Sequence, residues 1–388
     1  MDSAPKVVGI VAEYDPFHLG HKKQVLKAKQ SADYVVCIIS CAFSQRGSAH
    51  MFSTHTRAHM ALASGADLVL GLPYSFGCAQ ANRFAMGGVS ALNSLGVVTH
   101  LCFGVEEELL PVLGSATDAI KSKEYDKLFV ESLSGGVSSA KAHGIALSQL
   151  INSEDSNSLN APNFILGLCY IKALQDIKSD IVPLPISRRG DYHKGNDISA
   201  PSASIIRKKL LTGDTDFLKT ALPPESYGIA IKAYNEGYYH KPQALDYALI
   251  AKILSSNSEE LTNTPEISEG LEYRIMDCAL SANSRDTLIS LIKTKRYPYT
   301  RIDRALSHIL VGLNNENCPD KPNYVRLLGF RNSAAPLLSA ISKDMPLISR
   351  PARNKDLMMK EDMFSEQLWQ IGAGECPKRA YEEQVVII

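Results

Sequence analysis

The first 105 residues alternate between two kinds of segment, and that alternation restricts the fold more than any other feature of the chain. "KVVGIVAEY" (6–14), "ADYVVCIIS" (32–40), "ADLVLGLP" (66–73) and "VVTHLCFG" (97–104) are near-continuous β-branched and aliphatic runs. Between them lie "HKKQVLKAKQ" (21–30), "THTRAHMALASG" (54–65) and "CAQANRFAMGGVSALNSLG" (78–96), with apolar residues at helical spacing and Gly65 and Gly96 as stops. A strand that is apolar on both sides must be covered on both sides. The pattern therefore predicts a parallel sheet between two layers of helices, joined later by "DIVPLPIS" (180–187). The expected class is α/β, with a Rossmann-like doubly wound sheet over residues 1–215.

Downstream the periodicity changes. "SASIIRKKLL", "PQALDYALIAKILS", "GLEYRIMDCALSA", "SRDTLISLIKTKR" and "TRIDRALSHILVGL" all carry helical spacing, so residues 216–388 are expected to form a mainly helical C-terminal domain. Short strand-like pieces, "YVRLLGF" (324–330) and "MPLIS" (345–349), follow a turn-rich break, and "EEQVVII" at the tail reads as an edge strand. The polar stretch "NSEDSNSLNAP" (152–162) reads as a loop. A length of 388 residues fits two or three units. The charge is balanced, 41 basic against 41 acidic residues, which excludes a general polyanion binder and leaves nucleic acid only a local patch. Eight scattered cysteines without a C-x-x-C pair read as reduced thiols, and no cluster has metal-ligand spacing. No run approaches the ~20 apolar residues of a membrane span. A cytoplasmic chain without membrane contact is expected.

The chemistry-bearing residues gather where the first strand hands over to a helix. "EYDPFHLGH" (13–21) lies at the carboxyl end of that strand, the place where doubly wound sheets bind ligands. Pro16 fixes the turn, and Gly20 lets a ligand approach the backbone as the helix begins. His18 and His21 are three apart and project to one side beside unpaired N–H groups, a setting suited to anions. Read without that context, the same residues are a helix cap with two surface histidines. A second segment, "SASIIRKK" (202–209), places Ser202 and Ser204 at a helix N-terminus and Arg207 one turn inside, within reach of a triphosphate. Read alone, it is an ordinary capped amphipathic helix.

"PFHLGH" resembles the H-x-G-H motif of the nucleotidyltransferase superfamily, whose members attack the α-phosphate of a nucleotide and expel pyrophosphate. The blocks "GIVAEYDPFHLGH", "FSQRG", "GADLVLGLP", "CFGVE", "APNFILGL", "ISRRGDYHKG", "SEGLEYRI", "IKTKRYPYTRIDR" and "YVRLLGF" occur in this order, from about residue 6 to 350. Together they resemble the bacterial tRNA(Met) cytidine acetate ligase family. The resemblance implies a nucleotidyltransferase-type sheet and a two-step reaction. ATP and acetate give acetyl-adenylate and pyrophosphate, and the acetyl group passes to N4 of the wobble cytidine in the anticodon of elongator tRNA(Met). It implies ATP as substrate with Mg²⁺, inferred from ATP alone. His18, His21 and Arg207 would be catalytic. ATP would be bound by Val11, Ala12, Glu13, Tyr14, Asp15, Pro16, Phe17, His18, Leu19, Gly20, His21, Lys22, Lys23 and Gln24, with Gly104, Asn163, Arg188, Ser202 and Ser204. Gln45 and Arg46 are candidates for acetate or phosphate. Without the family, Gly104 is a strand-end glycine, Asn163 a turn or cap residue, and Arg188 surface charge.

In the second half, "IKTKRYPYTRIDR" (292–304) sets Lys293, Lys295, Arg296, Arg301 and Arg304 against Asp303 alone, with Tyr297 and Tyr299 interleaved. Cations for phosphates and rings for stacking suit a single-stranded RNA loop; a solvated helix end is the plain alternative. Lys293, Lys295, Arg296, Tyr297, Arg301 and Arg304 are the expected tRNA contacts. Four positions depart from the family pattern. Asp15 and Leu19 stand where Asn is usual, Ala42 replaces Asn in "SCAF", and Thr54 or His55 replaces the lysine before "TR". Ala42 and Thr54 would lie near the acceptor pocket, which leaves room for another carboxylate. Two other readings stand beside the ligase: a small-molecule adenylyltransferase with an oligomerising helical half, and a catalytically silent RNA-binding protein.

Overall fold

The computed structural model describes residues 5–134, 137, 139–151, 158–188, 201–354 and 356–388. Five parallel strands, β1 (Val7–Ala12), β2 (Tyr34–Ser40), β3 (Leu68–Leu72), β4 (His100–Glu106) and β5 (Val182–Arg188), run in the order β5-β4-β1-β2-β3. Their ends lie within three residues of those of the expected runs. The faces alternate as the pleat requires. Val36 and Ile38 of β2 join the core on one side, and Val35, Cys37 and Ile39 join the core on the other. The helices Ala81–Ser94 and Pro162–Asp176 supply apolar residues to the first core; Leu19–Lys29, Thr54–Ala63 and Ala203–Leu211 supply the second. Close approach is built into one of these contacts, since a Cβ at Gly88 would stand 2.7 Å from the methyl carbons of Val11.

Chain order reverses at β1, with β2 and β3 to one side and β4 and β5 to the other. The carboxyl ends of β1 and β4 therefore flank the switch point, where this class of sheet opens a crevice. The helices Leu113–Ala119, Lys123–Ser134 and Ser139–Leu150 fill a stretch that sequence periodicity leaves unassigned. Of the polar loop, residues 152–157 lie outside the described residues, and Ser158–Asn160 is a single 3-10 turn.

From Thr215 to Val311 the chain is helical, and a core of its own forms around Leu249, Ile253, Leu271, Ile275, Leu288, Ile302 and Leu306. Trp369, from the helix Leu357–Ala373, completes it and donates its indole N–H to the His50 carbonyl at 2.6 Å. The helical core is thereby fastened to the loop after β2. The chain then returns to the sheet. β6 (Val325–Phe330) pairs antiparallel with β3, and β7 (Leu347–Ile348) and β8 (Val386–Ile387) pair parallel with β6. The sheet is thus mixed at this edge: the strands after residue 324 extend it, while the helix Leu357–Ala373 packs on both the sheet and the helical core.

A carboxylate locks this return. Glu383 accepts from Tyr238 Oη at 2.6 Å, from His55 Nδ1 at 2.7 Å and from Ser53 Oγ at 3.1 Å, at the start of the Thr54–Ala63 helix. Burial would raise its pKa, but His55 and the three hydrogen bonds outweigh it and hold the carboxyl down to about 2. A folded-state pKa below the ordinary value gives stability that is present above that value and is lost as pH falls toward the folded one. Glu383 therefore contributes fully above pH 4.5 and progressively less toward pH 2. Unfolding followed by urea at stepped pH should show a shallower loss between those limits in Glu383→Gln than in the parent.

Candidate active site

The loop after β1 is shaped by its own backbone. Tyr14 sits at φ +57, a left-handed conformation rare for a tyrosine, and the Asp15–Pro16 peptide is cis. The chain then enters the Leu19–Lys29 helix with His18 as N-cap. Its Nδ1 accepts the Gly20 N–H at 3.1 Å, and His21 Nδ1 accepts the His18 N–H at 3.2 Å, so the two imidazoles form a reciprocal capping box. With both Nδ1 atoms accepting, the proton of each neutral ring lies on Nε2. The rings stack with centroids 3.7 Å apart, and Tyr14 and Phe17 pack on His21 at 4.9 and 5.6 Å. The aromatic packing orients two N–H donors at a helix N-terminus, an arrangement that stabilises charge growing on a phosphate.

A cavity of about 600 Å³ opens at the switch point. It gathers Val11, Ala12, Glu13, His21, Gln24, Gly104 and Asn163 from the expected nucleotide set, and Gln45 and Arg46 beside them. Asn163, at the start of the Pro162–Asp176 helix, donates from its backbone and its amide to Glu106 Oε1 at 3.2 and 2.8 Å. Gln24 reaches the Cys102 carbonyl at 3.4 Å. The wall also holds Gln80, Asn82 and His143, which no motif marked. Burial presses the His143 imidazole down to about 4, so it stands neutral at the cavity wall.

Other expected residues stand behind the wall. Tyr14, Pro16, Phe17 and His18 are buried in the turn, His18 stacked against His21 but outside the lining; Leu19, Gly20, Lys22 and Lys23 lie on the helix outside the lining, with Lys22 paired to Glu225 at 3.1 Å. Ser202 occupies the N-cap position of its helix but makes no side-chain cap; its hydroxyl meets that of Ser204 at 2.9 Å. Arg207 Nη1 donates to the Asp15 carbonyl at 2.6 Å and so braces the turn before His18. Arg188 closes β5 opposite Glu106 in register, and its side chain, like Arg189, lies outside the described residues.

Asp15 corrects an expectation. As a member of the expected nucleotide set it would put a negative charge beside a triphosphate. In the structure it turns inward, accepting the Met51 and Phe52 N–H groups at 2.9 and 3.1 Å and meeting His50 Nδ1 at 3.3 Å. Burial would raise its pKa, yet His50, Arg207 and Arg57 hold the carboxyl far below the carboxylate range. His50 in turn hydrogen-bonds Ser40 Oγ at 2.8 Å, an order that resembles a hydrolase triad. Ser40 is fully buried, however, and none of the three lines the cavity. The set is a brace. Arg57, also fully buried, completes it. Its guanidinium donates to the carbonyls of Glu13 (2.6 Å), Ser40 (2.9 Å) and Phe52 (3.1 Å), and to that of Cys41. One side chain therefore ties together the carboxyl ends of β1 and β2.

Ala42 and Thr54 are likewise core residues: Ala42 packs in the helical core, and Thr54 Oγ1 donates to Glu366 at 2.8 Å. Neither touches the cavity, so the doubt they cast on acetate loses its spatial basis.

The 292–304 segment divides in two. Lys293, Lys295, Arg296 and Tyr299 are exposed, Arg296 against Glu269 at 3.2 Å. Tyr297 is buried, donating its hydroxyl to the Glu269 carbonyl at 2.6 Å, so it offers no stacking face, contrary to expectation. Arg301 holds the Glu266 carbonyl and Ser268 Oγ, and Arg304 forms a buried fork to Glu266 at 2.9 and 3.3 Å while lining the cavity.

The comparisons agree with this geometry. The HIGH Nucleotidyl Transferase family matches residues 5–384. The tRNA(Met) cytidine acetate ligase of Clostridium perfringens is 36% identical over 389 residues, covering 94% of each chain, and that of Acetivibrio thermocellus is 35% identical over 367 residues, covering 88% of each. The crystal structure of Thermotoga maritima TmcAL bound with alpha-thio ATP superposes with a TM-score of 0.88 at 26% identity, over 99% of this chain and all of that one. A capped histidine pair at the switch point and full-length similarity to these relatives lead to one assignment: the chain belongs to the tRNA(Met) cytidine acetate ligase family of HIGH nucleotidyl transferases.

Proposed function

We propose that this protein activates acetate with ATP as acetyl-adenylate and transfers the acetyl group to N4 of the wobble cytidine of elongator tRNA(Met) in the cytoplasm. The observation that carries the reading is the stacked His18–His21 pair at a helix N-terminus, with His21 on the wall of a cavity at the switch point of the sheet. Acetate is unreactive toward an amine at neutral pH, whereas its adenylate carries a good leaving group. The carboxylate is itself the nucleophile at the α-phosphorus, so positioning and charge stabilisation suffice. His18 and His21 donate from Nε2 to the phosphate as pyrophosphate departs. Residues 1–215 hold the nucleotide, with Val11, Ala12, Gly104 and Asn163 around it; Arg207, fixed by the Asp15 carbonyl, supplies a cation, and Ser202 and Ser204 supply hydroxyls for the outer phosphates.

Mg²⁺ travels with ATP in this scheme. Among the described residues no three His, Cys, Asp or Glu side chains stand together as a metal cage, and Glu13 is the acidic group of the cavity wall. That donor set suits an ion held mainly by phosphate oxygens and water, which neutralises phosphate charge. No helix among the described residues is long and apolar enough to cross a membrane.

Residues 216–388 provide the RNA contact, through the exposed Lys293, Lys295 and Arg296. Lys295→Ala is expected to weaken binding of unmodified bulk tRNA and to lower the slope of log affinity against log salt by about one; filter binding over a salt series measures both. The reading as a whole is tested by labelled acetate with ATP, Mg²⁺ and unmodified tRNA, followed by nucleoside digestion. Label in N4-acetylcytidine is the expected result. Acetate-dependent pyrophosphate release without label in RNA leaves an acyl-adenylate enzyme with another acceptor, and neither signal removes acetate.

A further inference from the structure

Part of the cavity wall comes from outside the nucleotide half. Thr300 and Arg304 reach it from the helix Tyr299–Val311 and meet there Gln45 and Arg46, which belong to the nucleotide half through the loop after β2. These two elements are fastened to each other. Gly47 stands at φ +110 with its backbone against Asp303 and Arg304; a Cβ there would come within 2.5 Å of the Arg304 nitrogen. Ser307 Oγ donates to the Gly47 carbonyl, and at the other end of the loop the Gln45 N–H donates to Glu13 Oε1 at 2.7 Å. The loop tip is thus a fixed bridge between the end of β1 and the helical unit.

The cations on this wall differ in kind. Arg304 is neutralised by its fork to Glu266. Arg46 is exposed, and among the described residues no carboxylate or carbonyl accepts from it. An unneutralised guanidinium at a cavity wall attracts an electron-rich partner. The exposed run Lys293, Lys295, Arg296 and Tyr299 leads along the chain directly to Thr300 at the cavity. Positive charge and an exposed ring outside, with a forked donor inside, match a single-stranded polynucleotide that turns one base inward.

We propose that the end of the cavity between Arg46 and Thr300 is the acceptor subsite, taking one unpaired cytosine from an RNA loop whose flanking phosphates lie on Lys293, Lys295 and Arg296. The two parallel N–H donors of Arg46 match O2 and N3 of cytosine, both acceptors, whereas uracil presents a donor at N3. The exocyclic amine is left to attack the acetyl carbonyl. The new N–C bond forms as the C–O bond to AMP breaks; the amine gives up one proton to solvent, and AMP leaves. Tyr299, exposed and next in the chain to Thr300, offers its ring to a base face. This assignment rests on the acetyl-transfer reading for its chemistry but makes a separate claim about binding.

The test uses the full chain and three fluorescent RNA hairpins of equal length, whose loops carry cytidine, uridine or an abasic residue at one position. The parent protein is expected to bind the cytidine hairpin about tenfold more tightly than the other two, the scale of one ordered base. Arg46→Ala and Thr300→Trp should erase that preference while keeping the salt-dependent affinity. Both side chains are exposed, so folding is preserved, and circular dichroism verifies it. Equal binding of the three hairpins by the parent, or a preference that survives in both variants, overturns the subsite. The labelled-acetate assay separates the two claims. A cytidine preference without label in RNA refutes acetyl transfer and leaves the subsite standing; label in RNA without a preference does the reverse.

Discussion

Replacing His18 by asparagine is expected to lower acetate-dependent ATP–pyrophosphate exchange by a factor of order 10²–10³, the scale for one lost transition-state donor. Asparagine is the informative choice because His18 has two duties. Its Nδ1 caps the helix at the Gly20 N–H, and in the proposed mechanism its Nε2 carries the proton offered to the phosphate. Asparagine is itself a favoured N-cap, so helix entry survives and only the imidazole is removed. His21→Asn should fall by a similar factor, with the additional loss of the acceptor for the His18 N–H and of the packing on Tyr14 and Phe17. Urea unfolding of each variant decides whether chemistry or folding is responsible. Full exchange activity in either variant would remove the histidine pair from the mechanism.

Arg57→Met is expected to have the largest effect on stability, on the order of 3–5 kcal/mol, as for breaking a buried ionic set on one side. Methionine fills much of the volume but satisfies none of the carbonyls of Glu13, Ser40, Cys41 and Phe52. It also withdraws one of the cations that keep Asp15 ionised. Since Glu13 and Ser40 end the strands beside the cavity, nucleotide affinity should fall with stability. Arg57→Lys cannot repair this, because an ammonium lacks the planar fork. A shift of the urea midpoint at constant m-value would establish the loss, and an unchanged midpoint would show that water satisfies the carbonyls.

Much of the sheet was legible because fully buried parallel strands read as unbroken aliphatic runs, and "VVGIVA" and "YVVCIIS" are such runs. The position of His18 and His21 followed from that, since topology alone places the end of β1 at the crevice. What was not legible depends on partners far along the chain. Asp15 looks like an intruding charge until His50 and the Met51 and Phe52 amides are found around it. Tyr297, Arg301 and Arg304 look like an RNA-facing set until the 266–269 turn folds back to take all three. His143, from a helix, and Gln80, from the N-cap of another, reach the cavity without any local motif. Arg57 was visible in "THTR", but nothing in a sequence says that an arginine on an amphipathic helix points at four carbonyls.

The antiparallel pairing of β6 with β3 has a consequence for biosynthesis. β3, "LVLGL", is buried along its whole length, and β6 covers the edge it would otherwise bare. More than 250 residues separate the two strands in the chain. During translation the nucleotide half therefore emerges with an apolar sheet margin uncovered, and it stays so until the helical region and β6 have left the ribosome. Such a margin is a template for intermolecular pairing. Folding of the first half is completed only by the last, and chaperone demand should be greatest while that margin is open.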